Sequence, residues 1–166
     1  GMSRGMYYSS VLSLDLGMFY KRRDYSRIVN GKNPIVSHEY LGRDVTDKDV
    51  IIVDDMISSG ESIIDVATAL KKQGAKRIFV FSSFGLFVNG LEVIDRAYEE
   101  GVIDKIFTTN LIYRHPGLAS RDWYCEVNMS KYMSYLIDTL NHDETISKLL
   151  DPAAKIHNLV EKMGAK

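Results

Sequence analysis

Residues 50–62 read VIIVDDMISSGES, and this stretch decides the fold of the chain. The continuous β-branched run at residues 50–53 is typical of a parallel strand buried on both faces. The run ends in Asp54 and Asp55, and residues 56–60 predict a loop with small side chains. Beyond the loop, apolar residues recur at helical spacing. The stretch therefore predicts a buried strand, a tight loop and a helix in direct succession.

Strands and helices alternate in the same way along the rest of the chain. Residues 77–81 predict the next strand, which completes a βαβ unit with a right-handed crossover. Further strands are predicted at residues 18–20, 35–41, 105–109 and 123–127. Further helices are predicted at residues 3–14, 91–100, 131–140, 144–150 and 152–163. The pattern predicts an α/β fold with an open, mainly parallel sheet and helices on both faces.

Composition excludes several classes of protein. With 166 residues, of which 45% are hydrophobic and 26% charged, the chain has the material for one folded domain. A net charge of −1 provides no global field for nucleic acid or an anionic membrane, so neither is expected as a partner. Cys125 is the only cysteine, which excludes an internal disulfide and fits a cytoplasmic location. No apolar run approaches the ~20 residues that a membrane span needs.

The loop after the first buried strand is the first place to expect chemistry. In open α/β sheets, ligands bind beyond the carboxyl ends of the strands. Backbone N–H groups, serine hydroxyls and a helix dipole at residues 58–62 suit a phosphate. Asp54 and Asp55 alternate in direction along an extended chain, so one of them can face a ligand while the other holds a neighbouring group. A sugar diol with a phosphate fits this layout.

A purely structural interpretation uses the same residues. Ser59 can serve as a helix N-cap, and the two aspartates can interact favourably with the dipole of the helix that follows. Taken alone, the strand, the two acids and the loop leave both interpretations open. The four histidines show no mutual spacing of metal ligands, and no zinc site is predicted.

The longer pattern favours the ligand site. Residues 50–62 closely resemble the phosphoribosyl diphosphate signature of type I phosphoribosyltransferase folds. Within that superfamily the chain resembles the C-terminal half of the ribose-phosphate pyrophosphokinase family. The basic run at residues 21–23, the Thr-Thr-Asn at 108–110 and the segment 142–150 carry the resemblance further. It implies a phosphoribosyltransferase-like domain over residues 1–150, with residues 151–166 as a C-terminal helical tail.

The resemblance also implies an activity and its residues. The family transfers diphosphate from ATP to the C1 hydroxyl of ribose 5-phosphate, making phosphoribosyl diphosphate and AMP for nucleotide biosynthesis. Asp54 and Asp55 would hold the ribose hydroxyls, with Mg²⁺ as the cofactor. Lys21 and Arg23 would be catalytic, stabilising the transferred β-phosphoryl group. The 5-phosphate would be cradled by Ser58, Ser59, Gly60, Glu61 and Ser62.

The phosphate loop departs from the family pattern at two positions. After the apolar pair the family usually has an acid, a threonine, a small residue, a glycine and a threonine. Here Ser58 replaces the acid and Glu61 replaces the glycine that usually follows the small residue. Because a carboxylate beside a phosphate is unfavourable, we expect the Glu61 side chain to face solvent.

The family's N-terminal half supplies most of the ATP site, a metal-binding histidine and the subunit contacts. We therefore expect this chain to be the half that binds ribose 5-phosphate, to be poorly active alone, and to belong to a homo-oligomer. Two alternatives stay open. The altered loop is compatible with a non-catalytic regulatory subunit that associates with active synthetases. Ser58 also resembles the threonine found there in several nucleobase phosphoribosyltransferases, although no hood segment over a base is identified.

Overall fold

The structure is a computed structural model that describes residues 2–23 and 35–164, with side chains at residues 2–19, 40–147 and 149–164. Strands and helices alternate as the sequence predicts. The strands are β1 (Met18–Arg23), β2 (Ile35–Leu41), β3 (Asp49–Ile57), β4 (Arg77–Gly85), β5 (Lys105–Thr109) and β6 (Tyr124–Val127). The helices are α1 (Met2–Leu12), α2 (Glu61–Lys72), α3 (Glu92–Glu99), α4 (Ser130–Asn141), α5 (Ser147–Leu150) and α6 (Ala153–Gly164), with a 3-10 turn at Pro116–Ser120.

Four strands form a parallel sheet in the order β3-β4-β5-β6. The register pairs Val50 with Ile78, Val80 with Ile106, and Ile106 with Tyr124. Because consecutive strands are neighbours and parallel crossovers are right-handed, α2 and α3 lie on the same face and contact each other. The predicted α/β fold, a mainly parallel sheet flanked by helices, is confirmed.

The hydrophobic core lies between the sheet and this helical layer. Every second residue of β4 and β5 points into it, which is the period-2 pattern of a strand with one buried face. From the helical side, Ile63, Ala67 and Leu70 of α2 pack against these strands, and α3 adds Ile94 and Ala97. The core strand residues include Ile78, Val80 and Ile106.

The prediction that residues 50–53 are buried on both faces is wrong. β3 is an edge strand of the four-stranded sheet, and the Ile51 side chain is 45% exposed. On that same far face Phe81 is 36% exposed and stacks on Phe107 with 4.4 Å between ring centroids. The apolar run at 50–53 specifies a strand, but the position of β3 at the edge leaves one face partly open.

The bounds of β3 also differ from the prediction. The strand continues through Asp54 and Asp55 to Ile57, so the loop begins at Ser58 rather than at Met56. Pairing with β4 holds the extra residues in extended geometry as far as the Ile57–Gly85 pair. The two aspartates are therefore strand residues whose side chains alternate in direction.

The remaining strands and the terminal helices surround the parallel sheet. β1 and β2 form a separate antiparallel pair, with Met18 opposite Leu41. Helix α1 contacts both α6 and β3. Of the helices in residues 2–23 and 35–164, none combines the length and apolar character of a membrane span. The division into residues 1–150 and 151–166 stays a prediction.

Candidate functional site

A cleft of about 150 Å³ opens where β3 ends and α2 begins. The strand contributes an acid and two apolar residues, the loop contributes hydroxyls, and the first turn of α2 closes the far side. Its lining residues are Asp54, Met56, Ile57, Ser58, Ser59, Gly60, Ser62 and Ile63. The cleft therefore brings a carboxylate and a hydroxylic loop together at the N-terminus of a helix.

The two aspartates occupy different environments. Asp54 is half-buried and lines the cleft, whereas Asp55 is exposed and is not part of the lining. The Asp55 backbone N–H donates to the Asp54 carboxylate at 2.8 Å. The pKa of Asp54 lies above its ordinary value, chiefly because the group is partly buried. A hydrogen bond with the Asp55 carboxyl is the second cause. The same hydrogen bond lowers the pKa of Asp55. Of the two carboxyl groups, Asp54 is the one placed to meet a ligand.

The turn at Gly60 shapes the loop. Gly60 has φ 90°, a left-handed conformation that glycine adopts without steric strain, and it is the N-cap residue of α2. Its carbonyl accepts hydrogen bonds from the N–H groups of Ile63 and Ile64 at 3.1 Å. The first turn of α2 lines the cleft, so the positive end of the helix dipole borders it. This geometry suits an anion.

A second loop, residues 86–88 after β4, donates backbone hydrogen bonds to the end of β3 and to the start of the loop at residues 58–60. The N–H of Leu86 donates to the carbonyl of Ile57 at 2.8 Å, and that of Val88 donates to the carbonyl of Ser58 at 3.0 Å. Between them Phe87 is buried, and its ring lies 6.0 Å from that of Trp123. The sequence did not predict these two hydrogen bonds, because nothing local in residues 86–88 indicates which carbonyl groups accept from their N–H groups.

The other predicted site residues divide into three groups. Ser58, Ser59, Gly60 and Ser62 line the cleft together with Asp54. Glu61 is exposed and outside the lining, the orientation expected for a carboxylate next to an anion site. Lys21 and Arg23 belong to β1 by their backbone, and their side chains lie outside the described residues.

Arg4 is a basic residue near the site that the sequence reasoning missed. It lies in the first turn of α1, and its Nη1 atom is 4.0 Å from Oδ1 of Asp55. Fifty residues of sequence separate the two side chains, and no local motif marks Arg4. The packing of α1 near β3 brings the two side chains together.

The Thr-Thr-Asn at 108–110 connects strands. The Thr108 hydroxyl lies 3.0 Å from that of Tyr124, and the side chain of Asn110 accepts a hydrogen bond from the Met129 N–H at 2.8 Å. Asn110 also donates to Asn128. The Thr108 contact joins β5 to β6, and the Asn110 contacts join the end of β5 to the residues before α4, so Thr108 and Asn110 have a structural role.

No set of three His, Cys, Asp or Glu side chains converges to hold a metal ion among the residues that the structure describes. The carboxylates of Asp54 and Asp55 are oxygen ligands of the kind that Mg²⁺ uses, in ones or twos, while it keeps several waters. The pair therefore fits a hydrated Mg²⁺ ion better than an ion held by protein ligands alone.

Comparison with known proteins assigns the class and then the family. The fold matches the crystal structure of phosphoribosylpyrophosphate synthetase from Mycobacterium smegmatis with a TM-score of 0.64 at 18% identity, over 86% of this chain and 42% of that one. The fold is thus of the α/β class, with a parallel sheet flanked by helices as in that synthetase. The family described as "Phosphoribosyl synthetase-associated domain" matches residues 26–151, and the chain belongs to that family.

Curated relatives carry the name ribose-phosphate pyrophosphokinase. The protein from Ureaplasma parvum is 33% identical over 117 residues, which cover 70% of this chain and 33% of the relative. The protein from Vibrio parahaemolyticus is 28% identical over 161 residues, which cover 90% of this chain and 50% of the relative. The chain therefore spans between a third and a half of the length of these relatives.

Proposed function

We propose that this chain is the part of a ribose-phosphate diphosphokinase that binds ribose 5-phosphate. One observation carries the proposal: the cleft at the end of β3 combines the Asp54 carboxylate with the hydroxylic loop and the N-terminus of α2. A ribose 5-phosphate needs both a hydroxyl acceptor and an anion site in one small cleft. The relatives named ribose-phosphate pyrophosphokinase support the assignment.

The proposed reaction transfers a diphosphate group. The C1 hydroxyl of ribose 5-phosphate attacks the β-phosphorus of ATP, the bond from that phosphorus to the AMP oxygen breaks, and the hydroxyl proton is released. The products are phosphoribosyl diphosphate and AMP. Such transfers depend on positioning and on charge stabilisation, so cations near the β-phosphoryl group are the main requirement. Lys21 and Arg23 are the residues proposed for this role.

Each group of the cleft has a proposed task. Asp54 accepts hydrogen bonds from the ribose hydroxyls. Asp55, on the side of α1, holds the Asp54 carboxylate through its backbone N–H. The 5-phosphate lies against the backbone and hydroxyls of residues 58–62. Bound Mg²⁺ would neutralise phosphate charge, and Asp54 and Asp55 would hold it through its waters. ATP as second substrate, a homo-oligomeric state and a cytoplasmic location in nucleotide biosynthesis belong to the same proposal.

Phosphorus NMR of this chain with Mg²⁺, ATP and ribose 5-phosphate tests the proposal. We expect the sugar phosphate resonance to shift on binding, with little or no phosphoribosyl diphosphate formed by the chain alone. Asp54→Asn should weaken the binding of ribose 5-phosphate at least about tenfold, because a hydrogen bond to a charged acceptor is lost in a partly buried site. Asp65→Asn, on the exposed side of α2, is the matched control. An unshifted sugar phosphate resonance with the wild-type chain would contradict the proposal.

A regulatory subunit is the second candidate. The matching family is described as "Phosphoribosyl synthetase-associated domain", and the loop has Ser58 and Glu61 where an acid and a glycine are usual. This candidate predicts that the chain changes the activity of an active synthetase when the two are mixed. It also predicts that replacing Lys21 and Arg23 by Ala leaves the activity of the full-length protein intact. A loss of activity in that double variant favours the catalytic proposal.

A further inference from the structure

Arg4 contacts the candidate site from outside the cleft. Its Nη1 atom lies 4.0 Å from Oδ1 of Asp55, and the two side chains are 46% and 60% exposed. Among the described side chains, Arg4 is the basic group within ion-pair distance of Asp55. Neither Arg4 nor Asp55 is among the residues that line the cleft.

We propose that Arg4 is a positioning residue that draws the Asp55 carboxylate toward α1 and leaves Asp54 as the carboxylate that meets the sugar. The inference rests on the proposed function, because it concerns the same cleft. It goes further in assigning different tasks to the two aspartates. It also brings into the site a helix that lies outside the family match to residues 26–151.

Electrostatics gives the reason for such a residue. Two adjacent carboxylates beside an anionic sugar phosphate repel both each other and the ligand. A guanidinium on the far side of Asp55 offsets one of these charges without entering the cleft.

The position of Arg4 depends on tertiary contacts of α1. The helix contacts β3 and α6, and the His157 ring lies 3.1 Å from the carbonyl of Val11 at its C-terminal end. The chain then folds back, with the N–H of Leu14 donating to the carbonyl of Ser9 at 2.9 Å. These contacts set α1 against the sheet and keep the Arg4 side chain within reach of Asp55.

Binding of two ligands to the 166-residue chain separates this role from a structural one. Arg4→Gln should raise the dissociation constant of ribose 5-phosphate about two- to fivefold, the range for an exposed ion pair. The dissociation constant of inorganic phosphate, which needs only the loop at 58–62, should stay unchanged. Arg4→Lys should restore most of the affinity for the sugar phosphate. Arg43→Gln removes an exposed ion pair with Asp15 at 3.0 Å and is the matched control.

A double-mutant cycle with Asp55→Asn tests the route of the effect. If Arg4 acts through Asp55, Arg4→Gln should have no further effect on ribose 5-phosphate affinity once Asp55 is neutral. Additive losses, equal losses for both ligands, or wild-type affinity in Arg4→Gln would overturn the assignment of Arg4 while leaving the proposed function intact. A wild-type chain that binds ribose 5-phosphate no better than inorganic phosphate would overturn the proposed function and this inference together.

Discussion

Gly60 shows how one residue can serve both the fold and the site. Its φ of 90° is in the region that non-glycine residues rarely adopt. A Cβ atom at this position would lie 3.0 Å from Cδ1 of Ile94, a buried residue of α3. Both the turn into α2 and the close approach of α3 therefore require glycine here.

We predict that Gly60→Ala lowers the free energy of unfolding by about 1–3 kcal/mol, because backbone strain adds to a tight contact with a packed side chain. Gly101→Ala is the matched control, since Gly101 has φ 70° and nothing within 4 Å of the added Cβ. The difference between the two variants in urea unfolding measures the contact with Ile94. Equal losses would show that strain alone accounts for the effect.

Asp95 links α3 to the segment that precedes β6. Its carboxylate accepts hydrogen bonds from Arg121 and, at 2.7 Å, from the indole N–H of the buried Trp123. The hydrogen bonds from Arg121, with a lesser contribution from Trp123, hold the pKa of Asp95 below its ordinary value. The arrangement satisfies a buried indole donor, which would otherwise be costly to the fold.

Asp95→Ala should lower the free energy of unfolding by about 1–3 kcal/mol, because the buried indole N–H loses its acceptor. Asp95→Asn keeps an acceptor oxygen for Trp123 and should be milder. Thermal unfolding of the two variants, followed by the fluorescence of this single tryptophan, makes the comparison. If both variants are as stable as the wild type, the network does not contribute to stability.

At the scale of elements, α1 is the least anchored helix near the site. It has no buried residue, and it packs against β3 and α6. An isolated helix of 11 residues is marginal in water. Packing rather than helix propensity therefore keeps α1 in place, and α6 supplies part of that packing.

We expect His157→Ala to speed hydrogen exchange of the α1 amides about two- to tenfold, the effect of losing one hydrogen bond to a local opening reaction. The amides of α3, which packs in the core, should be unaffected. His142→Ala is the matched control, because that ring bonds to the Asp138 carbonyl at 2.8 Å within its own region of the chain. Unchanged exchange in α1 would show that α6 does not anchor it.

At the scale of the whole molecule, carboxyl groups couple stability to pH. The pKa values of Asp44, Asp49 and Asp95 lie below the ordinary 3.8. The causes are hydrogen bonds from Thr46, Arg77 and Arg121 respectively. In the unfolded chain these groups bind protons at a higher pH than in the folded chain. Their contribution to stability is therefore present above about pH 4 and is lost as the pH falls further.

We predict that the urea midpoint falls as the pH is lowered from about 5 to 3, as expected when the unfolded state binds more protons. The raised pKa of Asp54 acts in the opposite direction, so Asp54→Asn should steepen this fall slightly. Asp95→Asn should flatten it. A urea midpoint that is constant between pH 5 and pH 3 would contradict the assignment.

Much of the fold could be predicted locally. The strand at 105–109 has the predicted bounds, and the helix predicted at 131–140 differs from α4 by one residue at each end. The predicted loop at residues 56–60 was too long at its start, because pairing with β4 extends β3 through the two aspartates. Strand ends depend on neighbours that a sequence window does not contain.

Residues 50–62 by themselves determined the order of strand, loop and helix and the pairing of acids with a hydroxylic loop, because β-branched runs, helical spacing and alternation along a strand are local properties. Only the tertiary structure decided that β3 is an edge strand, that residues 86–88 brace the loop and that Arg4 reaches Asp55. Each of these depends on contacts between segments far apart in the chain. Such contacts are selected by the packing of the whole molecule and leave no periodic signal in the sequence.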